Sequence, residues 1–91
     1  MPSTNRFCPS TVRALAACGY AIDKHNHRAD LHLPGGVQAT VTADCQWRVM
    51  AGARKVAEGT ETHPALAACD ANEVAWKERD RIRAETRSAA Q

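Results

Sequence analysis

Apolar and polar residues alternate most regularly over residues 37–42, where Val37, Ala39 and Val41 face one way and Gln38, Thr40 and Thr42 the other. A period of two is that of a β-strand with one covered face. Tyr20 and Ile22 alternate in the same sense within residues 20–24, as do Ala29, Leu31 and Leu33, and as do Trp47, Val49 and Ala51 in "QWRVMA". The stretches between them carry turn chemistry. In "LPGGV", Pro34 supplies a fixed φ and Gly35 or Gly36 a positive one. A turn around Asp44 follows, and "GAR" closes a hairpin onto "KVAEG" with Val56 packing inward. The pattern predicts three to five antiparallel strands in hairpin order.

Helical signals flank these strands. "CPSTVRALAACG" predicts a short helix, with Ser10 or Thr11 as cap, Val12, Leu15 and Ala16 on one face, Phe7 stapling the entry and Gly19 at the left-handed stop. The longest element is "THPALAACDANEVAWKERDRIRAETRS", which has no Gly and is rich in helix formers. Pro64 suits the first helical position, and His63 before it is pushed out of helical geometry, so His63 reads as a helix-start residue. At about 100° per residue, Ala67, Ala71, Val74, Ala75 and Ile82 form one stripe, which is expected to lie on the sheet. The expected fold is therefore α+β: a short N-terminal helix, a hairpin-ordered antiparallel sheet, and a long C-terminal helix on one sheet face. Residues 1–91 are expected to form a single small domain, with residues 1–6 and the last few loose.

Composition makes the core of this domain thin. Alanine fills 18 of the 91 positions and accounts for much of the 44% hydrophobic content, while Leu, Ile, Val and Phe together number only thirteen. A domain of this size often has roughly 3–5 kcal/mol of core stability, so dimerisation or a partner would supplement it. The net charge is +2, too small to favour disorder. Nine of the twelve basic residues are Arg, the type suited to bidentate contact with carboxylate or phosphate. No signal peptide opens the sequence and no apolar run approaches the ~20 residues that span a bilayer, so a cytoplasmic protein without a membrane partner is expected. Cys8, Cys18, Cys45 and Cys69 are scattered without a C-x-x-C, and read as small buried hydrophobes.

Two groups of residues are candidates for function. The stretch "AIDKHNHRADLHL" holds His25, His27 and His32 beside Asp23 and Asp30. His25 and His27 fall at the connection between two strands, and His32 points away from the core. A zinc site built on His25 and His27 needs a further ligand, which Asp23, Asp30 or His32 supplies only in a suitable hairpin register. Otherwise the cluster is a polar hairpin edge, with no metal or cofactor. No phosphate-binding glycine loop and no nucleophile elbow occurs, which argues against an enzyme.

The second group lies on the final helix. Trp76, Arg79, Arg83 and Arg87 are spaced by three, four and four residues and form one stripe, extended at its apolar end by Leu66 and Cys69. Trp and Arg are enriched among interface hot spots. Arg79–Arg83 and Arg83–Arg87 are like-charge pairs that an acidic partner would relieve. The opposing reading has Trp76 covering an edge of the core, with Glu78, Asp80 and Glu85 pairing with Arg81 and Arg83 on a solvated helix. Arg48, Arg54 and Lys55 on the hairpin are expected to join the stripe in meeting a partner.

The segment "WRVMAGARKVAEGTETHPALAACDANEVAW", with the first helix in front of it, has a layout that resembles a double-stranded-RNA-binding domain. That resemblance implies direct nucleic-acid contact. The family grips phosphates with lysines at the start of its last helix, whereas the matching stretch here, "THPALAACD", has no Lys and ends in Asp70. The same segment resembles small phage-encoded proteins of the anti-CRISPR kind: compact, Ala-rich, a few antiparallel strands and one long helix. That resemblance implies a stoichiometric inhibitor acting in the bacterial host cell on a protein or ribonucleoprotein defence complex, and it assigns no role to any residue.

Overall fold

The computed structural model describes residues 7–23, 25 and 27–89. Its elements are α1 (Pro9–Ala17), β1 (Ala21–Asp23), β2 (Arg28–Leu33), β3 (Val37–Thr42), β4 (Gln46–Ala51), β5 (Arg54–Thr60) and α2 (Pro64–Ala89). All five strands pair with their sequence neighbours, giving one antiparallel sheet in the order β1-β2-β3-β4-β5. The α+β architecture expected from the pattern is the one observed.

Alternation along the strands builds the core. Ala29 pairs with Val41, Leu31 with Ala39, Leu33 with Val37 and Ala39 with Val49, and all of these are buried on one face of the sheet. Onto that face α2 lays Ala67, Ala68, Ala71 and Ala75, each at most 1% exposed. Methyl side chains allow the helix axis close to β3 and β4 and leave little void. Val74 and Ile82 pack at the border, as the stripe predicts. Among the described residues no element covers the opposite face of the sheet, which is mostly polar and includes Met50.

Helix α1 closes one end of this core through Leu15 and Thr11, both buried. Its C-terminus is a Schellman turn: Tyr20 N–H donates to the Leu15 carbonyl, Gly19 N–H to that of Ala16, and Gly19 has φ +92°. The same turn buries Tyr20, whose hydroxyl donates to the Ala68 carbonyl of α2 at 3.3 Å and so ties the helices together. Burial pushes the Tyr20 phenol well above its ordinary pKa. The entry to α1 differs from expectation. Cys8, rather than Ser10 or Thr11, occupies the N-cap, and no side chain caps the helix. With Pro9 already helical, Ser10 and Thr11 lie inside the first turn, where they cannot cap it. Ala16 is exposed, because α1 turns Thr11 and Leu15 inward instead.

The cysteines correct a second expectation. Cys8, Cys18 and Cys69 are exposed, Cys45 is half-buried, and all four are free thiols. Cys18 is the C-cap of α1, and Cys69 lies on the side of α2 turned from the sheet, so helix angle overrides residue type.

One feature leaves no trace in the hydrophobic pattern. Val49 pairs with Ala57 but Met50 pairs with Lys55, so Val56 is an extra residue in a β-bulge. The bulge reverses the facing of everything after it. Ala57 and Gly59 come to the helix side beside Val49 and Trp47, and Glu58 goes to the open face beside Arg48. Val56 itself packs, half-buried, against the core. Trp47 lies across Gly59 so closely that a Cβ there would sit 2.7 Å from the indole Nε1.

Candidate functional site

The structure divides the expected site residues between two surfaces. Trp76, Arg79, Arg83 and Arg87 form a continuous stripe on α2. Trp76 is 42% exposed, and with Leu66 at 48% it is one of the two exposed large apolar residues among those described. The Arg79 guanidinium carbon stands 5.3 Å from the centroid of the Trp76 ring, a cation–π contact. Arg48 and Lys55 lie instead on the open sheet face, and both contact Glu58, at 3.6 and 2.8 Å. These two cations, Lys55 foremost, hold the Glu58 carboxyl below its usual range. The two groups therefore cannot meet one flat partner surface at once.

Arg54 has a third position. It points to the helix side, where its Nη2 lies 2.6 Å from Glu78 Oε1. Glu78 is 7% exposed and sits at the inner edge of α2, between Ala75 and Ile82. Arg81 also binds Glu78 and, on its other side, Glu85. Arg81 thus takes the Glu85 contact that the sequence assigned equally to Arg83. Hydrogen bonds from Arg81, then Arg54, hold the Glu78 carboxyl down to about 2, against burial, which pushes it up. Its contribution to stability is complete above the unfolded carboxylate value near 4.3 and is lost as pH falls through about 2. Glu78→Gln is expected to cost about 1–2 kcal/mol at pH 7, below the full value for a charged hydrogen bond because both arginines are half-exposed. It should also flatten the dependence of melting temperature on pH between about 5 and 2. Parallel melting-temperature curves for the two proteins would place the acid sensitivity elsewhere.

The stripe continues past the sheet. A helix of 26 residues is about 39 Å long and strands of six or seven residues about 20–24 Å. Ile82 rests half-buried near the β2–β3 turn, and Arg83 to Arg87 beyond it are all exposed. Where α2 passes this turn, Pro34, Gly35 and Ile82 floor a shallow groove edged by Arg79, Arg83, Thr86 and Arg87. Arg79 touches Asp80 at 3.4 Å. Arg83 and Arg87 have no carboxylate partner among the described residues. Sequence spacing locates the arginines, while the groove depends on the turn between Leu33 and Val37, which no helical periodicity includes.

The histidines do not converge. His32 stands on the open sheet face opposite Gln38, exposed. His25 and His27 are in the β1–β2 connection and line a cleft with Phe7, Val12, Arg13 and Ile22. Asp30 is held by the Thr40 hydroxyl at 2.8 Å and by Arg28 at 3.3 Å, and Asp23 accepts from the His25 backbone N–H. Among the described residues, no three His, Cys, Asp or Glu side chains gather as a metal site. His63 immediately precedes α2, and its Nδ1 accepts the Ala65 N–H at 3.1 Å.

One group lies outside the sequence reading. The exposed Cys8 Sγ is 3.2 Å from the Ser10 hydroxyl and 3.0 Å from that of Thr11. These hydroxyls, Ser10 first, bring its thiol down to about 7. Cysteine at an N-cap was the available signal.

No protein-family model matches the chain, and no curated protein or solved structure matches it significantly. No helix among the described residues is long and apolar enough to cross a membrane.

Proposed function

We propose that the protein is a non-enzymatic binding protein that engages its partner through the outer stripe of α2. In this reading it is an inhibitor of a bacterial defence complex, of the anti-CRISPR kind, acting in the host cytoplasm. One observation carries the binding surface: an exposed indole stacked by Arg79, with Arg83 and Arg87 continuing the stripe without a carboxylate partner among the described residues. Isolated exposed apolar residues are common on monomers. Trp76, however, is preorganised by Arg79 and aligned with Leu66 and Cys69, both exposed, on the side of α2 that the sheet does not use. A rigid aromatic beside arginines is the composition of a hot spot. The assignment to a defence complex is supported by the compact sheet-plus-helix style shared with phage-encoded inhibitors. Arg48 and Lys55 on the open face, each already paired to Glu58, are outside this interface.

The test is affinity capture from a lysate of cells carrying the defence complex, with three baits run side by side. A partner retained by the wild-type protein and by Arg48→Ala but released by Trp76→Ala is the expected result. Retention by Trp76→Ala together with loss on Arg48→Ala would transfer the interface to the open sheet face.

A further inference from the structure

The groove at the end of α2 has a more specific geometry than a basic patch. Arg79, Arg83 and Arg87 are four residues apart, so their Cα atoms repeat every ~6 Å along the helix axis. Same-side side chains of an extended chain repeat every two residues, or about 6.6 Å. Three consecutive guanidinium groups can therefore each face a carboxylate at alternate positions of one extended segment lying along α2. Each Arg–carboxylate contact can be bidentate. The apolar floor of Pro34 and Ile82 lies beside the arginine row and can receive the carbon stems of that segment. The like-charge pairs Arg79–Arg83 and Arg83–Arg87 supply the complementarity, because an anion lying along the row relieves their repulsion.

Phosphate chains fit this groove less well. The stripe runs on into Trp76 and the exposed Leu66, apolar surface that a phosphate backbone does not cover. Asp80 contacts Arg79, and Glu73 contacts Lys77 at 3.0 Å. A duplex carrying one charge per ~1.7 Å would press phosphates against these carboxylates. The net charge of +2 gives little long-range attraction to offset that.

We propose that the groove between α2 and the β2–β3 turn binds an extended acidic segment of the partner with Asp or Glu at alternate positions. Arg79, Arg83 and Arg87 each take one carboxylate. This proposal rests on the outer stripe being the interface, and it adds the chemistry of what docks there.

The test titrates isotope-labelled full-length protein with capped Glu-Thr-Glu-Thr-Glu, with its isomer Glu-Glu-Glu-Thr-Thr, with inorganic phosphate and with a single-stranded thymidine oligonucleotide. The alternating peptide should shift the Nε–Hε resonances of Arg79, Arg83 and Arg87 and the Ile82 methyls. It should bind roughly threefold to tenfold more tightly than the isomer, the scale of one well-placed ion pair. Arg83→Glu, an exposed site, should abolish the shifts while leaving the melting temperature in place. Equal binding of the two peptides, shifts confined to Arg48 and Lys55, or tighter binding of phosphate or oligonucleotide would each overturn the proposal. Failure here with capture still dependent on Trp76 rejects the acidic segment but keeps the interface. Capture independent of Trp76 rejects the interface whatever the peptides do.

Discussion

Leu15→Ala is expected to remove about 2–5 kcal/mol of stability, the cost of emptying a buried leucine site. Leu15 is one of the four largest fully buried side chains, the others being Val37, Val41 and Val49. It is the main anchor of α1 on the core. The Schellman turn that ends α1 begins at its carbonyl, and Tyr20, whose N–H donates that hydrogen bond, reaches across to Ala68. The cavity would therefore loosen α1, the turn and the tie to α2 together. The rest of the buried core is mostly alanine and valine, too short to fill the space. With roughly 3–5 kcal/mol available in a domain of this size, the variant should be largely unfolded at 37 °C. A loss of 2 kcal/mol alone would lower the melting temperature by about 8–16 °C. Circular dichroism melts decide the matter. A drop of only one or two degrees would mean that α1 is a peripheral flap and that the core stands on the sheet and α2 alone.

Ala71→Leu is the complementary experiment. Ala71 is fully buried where α2 crosses the sheet, between Ala67, Ala68 and Ala75. Three added carbons have no space there, so the helix must lift from β3 and β4 or the new side chain must leave its rotamer. Overpacking of this kind costs about 1–3 kcal/mol. Ala84→Leu, on the exposed end of the same helix, is the control. Alanine and leucine have similar helix propensities, so the difference between the variants measures packing alone. The urea midpoint of Ala71→Leu should fall well below that of Ala84→Leu. Equal midpoints would show that α2 rides loosely on the sheet, and the close approach attributed to its alanines would be wrong.

Local rules account for most of the fold. Val37 to Thr42 alternates without a break and forms β3, because a sheet with one covered face admits only that period. Pro34-Gly35-Gly36 and His63-Pro64 carry their own backbone restrictions, and both glycines of the turn have positive φ. The bulge at Val56 was hidden for a physical reason: "KVAEG" offers Val and Ala in succession, either of which can face inward, so one extra residue breaks no visible pattern. Glu78 is a different case. Its helical angle places it between Ala75 and Ile82 on the inner face, and its charge alone led it to be grouped with the solvated residues. Position overrode charge because Arg54, delivered to the helix side at the start of β5, and Arg81 supply the hydrogen bonds that burial removes. The cysteines err in the opposite sense: their type favours burial, but Cys8 and Cys18 flank the exposed ends of α1, Cys69 takes the outer side of α2 and Cys45 lies half-buried in the β3–β4 connection.

The candidate surface was visible in part. The three-four-four spacing of Trp76, Arg79, Arg83 and Arg87 requires a common helix face, and the structure places them so. Arg48, Arg54 and Lys55 carry the same charge but belong to other surfaces, because strand alternation and the bulge distribute them to opposite faces of the sheet. Sequence charge alone contains no such information until register is known.

The most direct measurement is the affinity of the captured partner for Trp76→Ala, with the melting temperature of the free variant recorded in parallel. Loss of a central aromatic hot spot corresponds to roughly 2–4 kcal/mol, so binding should weaken about 30-fold to 1,000-fold while the melting temperature stays within about 2 °C of wild type. Unchanged affinity, or weakened binding fully explained by an unstable fold, would contradict the assignment of the outer face of α2 as the working surface.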